Sequence, residues 1–284
     1  MKHNKEVLFG IVAILTIAGV CILALQRSRQ PQRCPTTLAI QGARCCGDGQ
    51  RFDNGKCTGR PLRCAKSMKV TSAGCVPNTR RVHFDGGQLL IAPSDWEAQG
   101  RVEVRRVSVG AFSIDSHELT EGEYAQCVHE KACVAAPSRG ESGLPQTNLS
   151  AAEAAQYCRW RGGRLPSSDE HAFAMMGKDA RRYPWGQTGA VCRRASFGLE
   201  TGPCARGGRG PDLAGARPDG ASPEGVHDLA GNVAEWTVRS TQRHEARGGS
   251  WRTVAASELR AWNTRVVPEE SRKDDVGARC AYAR

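Results

Sequence analysis

The sequence is poor in several features that would each point to a familiar chemistry. Aromatic residues make up 6% of the 284 positions, and 32 glycines with 14 prolines speak against long regular helices. The basic excess is large, 40 Lys and Arg against 29 Asp and Glu for a net charge of +11, but it is scattered, with no run longer than pairs such as Arg105-Arg106 and Arg181-Arg182. Without a charge block or a groove-reading motif, this describes a solvated, Arg-rich surface and argues against a nucleic-acid binder. No Cys-x-x-Cys and no His-x-x-x-His occurs, and His83, His117, His129, His171, His227 and His244 are dispersed. Zinc or iron held by a local cluster is therefore not expected. Of these histidines, His227 beside Asp228 is the one to inspect for a role. No Gly-x-Ser-x-Gly elbow supports nucleophilic hydrolysis.

Thirteen cysteines stand against these absences, a high count for a reducing cytosol. Val7 to Leu25 is an uncharged run of 19 residues, preceded by Lys2 and Lys5 and followed by Arg27 and Arg29. As a helix it reaches about 29 Å, the hydrocarbon thickness of a bilayer. Its exit, Ala24-Leu25-Gln26-Arg27, lacks the small-x-small pattern of a cleaved signal peptide. Residues 1–30 therefore read as an uncleaved signal-anchor with a transmembrane helix over about 7–25. Acylation of Cys21 is the weaker alternative, because Val20 precedes it. Basic residues flank the span on both sides, so charge alone does not orient it. With Cys21 set in the membrane, twelve cysteines remain on the C-terminal side, an even number. Paired disulfides place that bulk in an oxidising, extracytoplasmic compartment, periplasmic or at the cell surface.

Two regions follow. Residues 31–80 hold Cys34, Cys45, Cys46, Cys57, Cys64 and Cys75 among turn-forming sequences, with no sustained apolar periodicity. Three disulfides would stabilise such a segment, and the sequence does not choose among fifteen pairings. Residues 81–284 form the larger domain. Val102, Val104, Val107, Val109, Phe112 and Ile114 predict two short strands. Thr120 with Glu123, Ser150 with Glu153 and Ser167 with Glu170 predict three capped helices, ending near Lys131, Arg161 and Met176. The last hundred residues carry many glycines and few helical signals, so a mixed α+β fold with an irregular second half is expected.

Within this domain the motifs run in a set order: Leu119-Thr120-x-x-x-Tyr124, Ala154-Ala155-x-Tyr157-Cys158-x-Trp160, Gly163-Arg164-Leu165-Pro166-Ser167 and Tyr183-Pro184-Trp185-Gly186. Then come Gly231-Asn232-Val233-x-Glu235-Trp236, Arg247-Gly248-Gly249-Ser250-Trp251 and Val276-Gly277-Ala278-Arg279-Cys280. Their order and spacing resemble the formylglycine-generating enzymes, or sulfatase-modifying factors, from about Val104 to Ala283. The resemblance implies an irregular α+β fold related to C-type lectins. It also implies a calcium site at Asn232, Val233 and Glu235, whose oxygens lie close in sequence as a hard cation requires. Hydrogen bonding of Asn232 and Glu235 to local backbone is the competing reading. At the family's second metal position an asparagine is usual, and Ser196 stands there, a poorer calcium ligand. Trp160, Trp185, Trp236 and Trp251 are expected in the core. Arg164 and Arg247 are expected to be buried beside a carboxylate.

Active relatives hold copper(I) with two cysteines after Gly-Gly-Ser, and soft sulfur suits that ion. Here Thr253 and Glu258 occupy those positions, so copper is not expected and no catalytic residue is assigned. The other domain cysteines are expected as staples: Cys127 with Cys133, Cys192 with Cys204 and Cys158 with Cys280. The expected function is a membrane-anchored, non-catalytic domain that binds a peptide, an anionic glycan or a protein partner. The alternative is an oxidoreductase acting on a protein cysteine by a variant mechanism, and a third class is a structural part of an envelope assembly.

Overall fold

A computed structural model describes residues 102–284 apart from 206, 209, 241 and 242, and before them 38–41, 44–47, 49–53, 56–63, 68–71 and 74–93. The span Val7–Leu25 and Cys21, Cys34 and Cys64 lie outside the described residues. Among the described residues no helix is long and apolar enough to cross a membrane.

The expectation that turns dominate residues 31–80 is corrected. Six strands form three antiparallel hairpins: β1 (Leu38–Gln41) with β2 (Arg44–Gly47), β3 (Arg51–Asp53) with β4 (Lys56–Thr58), and β5 (Met68–Thr71) with β6 (Gly74–Pro77). Their registers match, because Ile40 faces Cys45, Phe52 faces Cys57 and Val70 faces Cys75. The cysteines themselves recur as Cys34-x10-Cys45, Cys46-x10-Cys57 and Cys64-x10-Cys75. This segment is thus one hairpin unit written three times. Strands this short show no periodicity that a longer window would detect.

In the main domain, β7 (Arg81–Phe84), β10 (Phe112–Asp115) and β15 (Ala281–Tyr282) form a three-stranded sheet with β10 central. β8 (Gly87–Ile91) pairs with β9 (Arg105–Val109). Val102 and Val104, expected in a strand, lie outside β9, which begins at Arg105. The partner strand ends at Ile91, two residues before Pro93, which has no N–H to donate, and Val104 is exposed.

Among the described residues the α-helices are α1 (Glu121–His129), α2 (Ala151–Trp160) and α3 (Ser168–Met176). Thr120, Ser150 and Ser167 each accept from the N–H three residues on, and Glu123, Glu153 and Glu170 return the bond. Gly177, at φ 61°, ends α3 in a conformation that a side chain resists. Glu121 then orders the loop after α1, accepting from Ser138 Oγ and from the N–H groups of Arg139, Gly140 and Glu141.

The second sheet has the order β13 (Thr264–Arg265), β12 (Arg243–Arg247), β11 (Ala234–Ser240), β14 (Val276–Gly277), with β14 parallel to β11. Two apolar clusters lie around it. In one, Phe84, Phe112 and Phe173 meet at centroid distances of 5.1 to 6.4 Å beside Leu89, Ile114, Met175 and Trp251. In the other, Tyr124, Leu149, Tyr157 and Trp236 pack with Val276. Cys127–Cys133 and Cys158–Cys280 sit within the second cluster, and Cys192–Cys204 closes a loop elsewhere. All three match the expected staples.

Trp236 and Trp251 are buried, as expected of core aromatics. Trp160 and Trp185 are only half-buried, because their indole N–H groups reach outward to Glu130 and to the Thr188 carbonyl. Arg247 is buried 3.8 Å from Glu245, whereas Arg164 pairs with Glu170 from a half-exposed position.

Candidate functional site

The period of two along β11 sends Glu235 and Trp236 to opposite faces. Trp236 enters the second cluster and donates to the Leu149 carbonyl. Glu235 faces α3 and the last segment of the chain. Its carboxylate receives Nε and Nη2 of Arg279 at 2.6 and 2.7 Å, and His171 Nε2 lies 3.2 Å away. All three are essentially inaccessible to solvent. Burial alone would raise the Glu235 pKa, but Arg279 and then His171 overcome it and hold the carboxyl at about 2. Burial lowers the His171 pKa, and the facing Glu235 carboxylate only partly opposes it.

Glu118 completes this interior. It accepts from Asn232 Nδ2 at 2.6 Å and from the Val233 N–H at 3.1 Å. Burial, then Asp228 and Glu235, push its pKa well up, against Arg279 and the Val233 N–H. Asp228, at φ 55°, accepts from the Gly215 N–H, and burial lifts it to about 6.

Asn232, Val233 and Glu235 are therefore not arranged as a calcium ligand set. Both Glu235 oxygens face a guanidinium, and the Asn232 amide oxygen accepts from the Asp212 N–H at 2.9 Å. Nor do Asn232 and Glu235 bond local backbone, since their partners lie 20 to 114 residues away. Among the described residues no group of three or more His, Cys, Asp and Glu is placed to hold a metal ion.

The Gly-Gly-Ser turn lies at the end of β12. Gly248 and Gly249 have φ of 89° and 72°, and a Cβ would stand 2.7 Å from the Leu229 carbonyl at the first and 2.5 Å from a Leu259 methyl at the second. Neither position admits a side chain. Ser250 donates its hydroxyl to Asp275 and its N–H to Thr253 Oγ1. Thr253 thus serves the turn as an acceptor, and Glu258 lies exposed on a single 3-10 turn (Ala256–Leu259). Trp251 is buried, and the Arg252 guanidinium lies 4.2 Å from the centroid of its ring, held by Asp274 and Glu200. The structure brings Thr253 and Glu258 to one corner, both beside Gly249, with no sulfur at either.

His227 is not a solvated loop residue. Its ring stacks on His117 with centroids 4.6 Å apart, and Arg279 donates to its carbonyl. Burial, then His227 and two arginines, lower the His117 pKa to about 3. No local pattern could reveal this pair, because its members come from separate segments.

Around the corner holding Thr253 and Glu258, two half-buried tryptophans meet arginines. Trp185 stacks on Tyr183 with centroids 5.1 Å apart and lies beneath Arg194, and Trp262 lies beneath Arg260. The Ala261 N–H donates to the Arg182 carbonyl and Tyr183 Oη donates to the Ala256 carbonyl, which joins the two segments.

Fold and site together define an irregular α+β domain with a buried guanidinium–carboxylate centre and a glycine-braced turn that carries no thiols. The chain belongs to the sulfatase-modifying factor family: residues 67–284 match the sulfatase-modifying factor enzyme 1-like domain. It is similar to the inactive C-alpha-formylglycine-generating enzyme 2 of Mus musculus, 28% identical over 265 residues, 70% of this chain and 84% of that one. A shorter similarity, 36% over 98 residues, links 33% of this chain to 21% of the hercynine oxygenase of Mycobacterium tuberculosis. PvdO from Pseudomonas aeruginosa shares the fold, with a TM-score of 0.58 at 18% identity over 71% of this chain and 93% of that one.

Proposed function

We propose that this chain is a non-catalytic member of its family, a membrane-anchored, extracytoplasmic protein whose domain binds a peptide, an anionic glycan or a protein partner. One observation carries the reading: Thr253 and Glu258 stand where active relatives place a copper-binding thiol pair, and the Thr253 hydroxyl accepts a bond from its own turn. A hydroxyl and a carboxylate are hard ligands that do not hold copper(I). The mouse relative, itself named as inactive, supports the same reading. Three disulfides among the described residues fit an oxidising compartment.

The surface of Trp185 and Trp262 supports the reading as a binding face, because aromatic faces and guanidinium groups combine there as they do at recognition surfaces. The net charge of +11 favours an anionic partner. The test is tryptophan fluorescence of the full chain titrated with an anionic glycan, its neutral counterpart and an acidic peptide, alongside an oxygen-uptake assay with a cysteine-containing sulfatase-motif peptide. The expected result is saturable binding of an anionic probe, weakened at least tenfold by Trp185→Ala with Trp262→Ala, and no oxygen uptake above background. Peptide-dependent oxygen consumption, or binding indifferent to both substitutions, would overturn it.

A further inference from the structure

The family resemblance implies a second divalent-cation position beside Ser196, and the residues there do not fit one. We infer that Arg217 is a built-in cation, its guanidinium taking the place of a bound calcium ion and holding three loop segments together without metal.

The Ser196 hydroxyl is already engaged: it donates to Asp212 Oδ2 at 2.5 Å and accepts from Arg217 Nε at 2.5 Å. Arg217 also reaches Asp212 Oδ2 through Nε at 3.0 Å and Nη2 at 2.5 Å. The ring closes through Asn232, whose amide oxygen accepts from the Asp212 N–H at 2.9 Å and whose N–H donates to the Ser196 carbonyl at 2.8 Å. Segments near residues 196, 212 and 232 therefore converge on one guanidinium–carboxylate pair.

Charge and geometry both exclude a divalent ion beside it. Arg217 and Asp212 neutralise each other, so an added calcium ion would face a cation with no spare carboxylate from this pair. A guanidinium is planar and fixed in charge, and it spreads its donors over several oxygens as a metal spreads its coordination. Ser196 is buried, and the Arg217 side chain is only 12% exposed.

The backbone holds Arg217 in place independently of these bonds. Pro218 sets the first position of a 3-10 turn (Pro218–Gly220) directly after it. A Cβ at Gly220 would stand 1.8 Å from the Arg194 carbonyl, so only glycine lets this turn lie against the segment that leads into Ser196.

The test is thermal unfolding of the full chain in millimolar calcium and in chelator, with calcium binding measured by calorimetry. Wild type, Arg217→Ala, Asp212→Asn and the double variant Arg217→Ala with Ser196→Asn are compared. The expected result is a wild-type Tm that is the same in calcium and chelator and a lower Tm for Arg217→Ala. The double variant, with an amide oxygen restored and the guanidinium removed, should bind calcium at least tenfold more tightly than wild type and gain Tm on binding. Calcium binding by wild type that Asp212→Asn abolishes would overturn the inference, and the wild-type measurement stands even if a variant fails to fold. An unchanged Tm for Arg217→Ala would also overturn it, as would a folded double variant indifferent to calcium.

Discussion

Asp115→Asn should change how stability depends on pH. Asp115 ends β10, almost wholly buried, where it accepts from Tyr282 Oη at 3.1 and 3.2 Å with Arg161 3.9 Å away. Burial is the largest influence and Arg161 only partly opposes it, so the pKa rises from an ordinary 3.8 to about 6. Below pH 3.8 the carboxyl is neutral in both folded and unfolded chains, and its contribution to stability is fully present. Between pH 3.8 and about 6 the unfolded chain ionises first, so stability falls as pH rises and stays low above the folded pKa. At about 1.4 kcal/mol per pH unit the loss is about 3 kcal/mol. Asparagine keeps an acceptor for Tyr282 and does not ionise. The assay is urea unfolding of both proteins at pH 4, 5, 6 and 7.5. The advantage of Asp115→Asn over wild type should grow by about 2.5 kcal/mol from pH 4 to 7.5, since part of the loss is already in place at pH 4. An offset that is the same at every pH would refute the reasoning.

Replacing Cys158 and Cys280 together by Ala opens a loop of 122 residues. Chain entropy alone predicts a loss of about 5 kcal/mol, readable as a lower urea midpoint. Gly163→Ala puts a Cβ 2.6 Å from the Ala281 carbonyl and 2.7 Å from the Tyr282 ring, so calorimetry should find a lower Tm and a cost of about 1–3 kcal/mol. Arg279→Met leaves Glu235 buried without its guanidinium, and chemical unfolding at pH 7 should show a loss of about 3–5 kcal/mol. That loss should shrink toward pH 3, as the unpaired carboxyl takes up a proton.

The parts of the fold visible in the sequence were those written in local chemistry. Hydroxyl and Glu three residues apart placed all three helix starts at Thr120, Ser150 and Ser167, because a cap is made within one turn of chain. Cysteine positions foretold three staples for similarly simple reasons. The hairpins of residues 38–77 escaped because strands of three or four residues carry no periodicity, although the repeated Cys-x10-Cys spacing was there to be read. What depended on long-range pairing was illegible. The spacing around Glu235 fits a calcium ligand, but Arg279, 44 residues on, takes both its oxygens. His227 needed His117, and Ser196 needed Arg217, for the same reason.

Copper(I) titration of the purified full chain tests the central claim most directly, competed against a copper(I) chelator of known affinity. The double variant Thr253→Cys with Glu258→Cys serves as the positive control. The account predicts no stoichiometric copper(I) binding by wild type and binding of one ion when the thiol pair is restored. One tightly bound copper(I) per wild-type chain, with oxygen consumed in the presence of a cysteine-containing peptide, would contradict it.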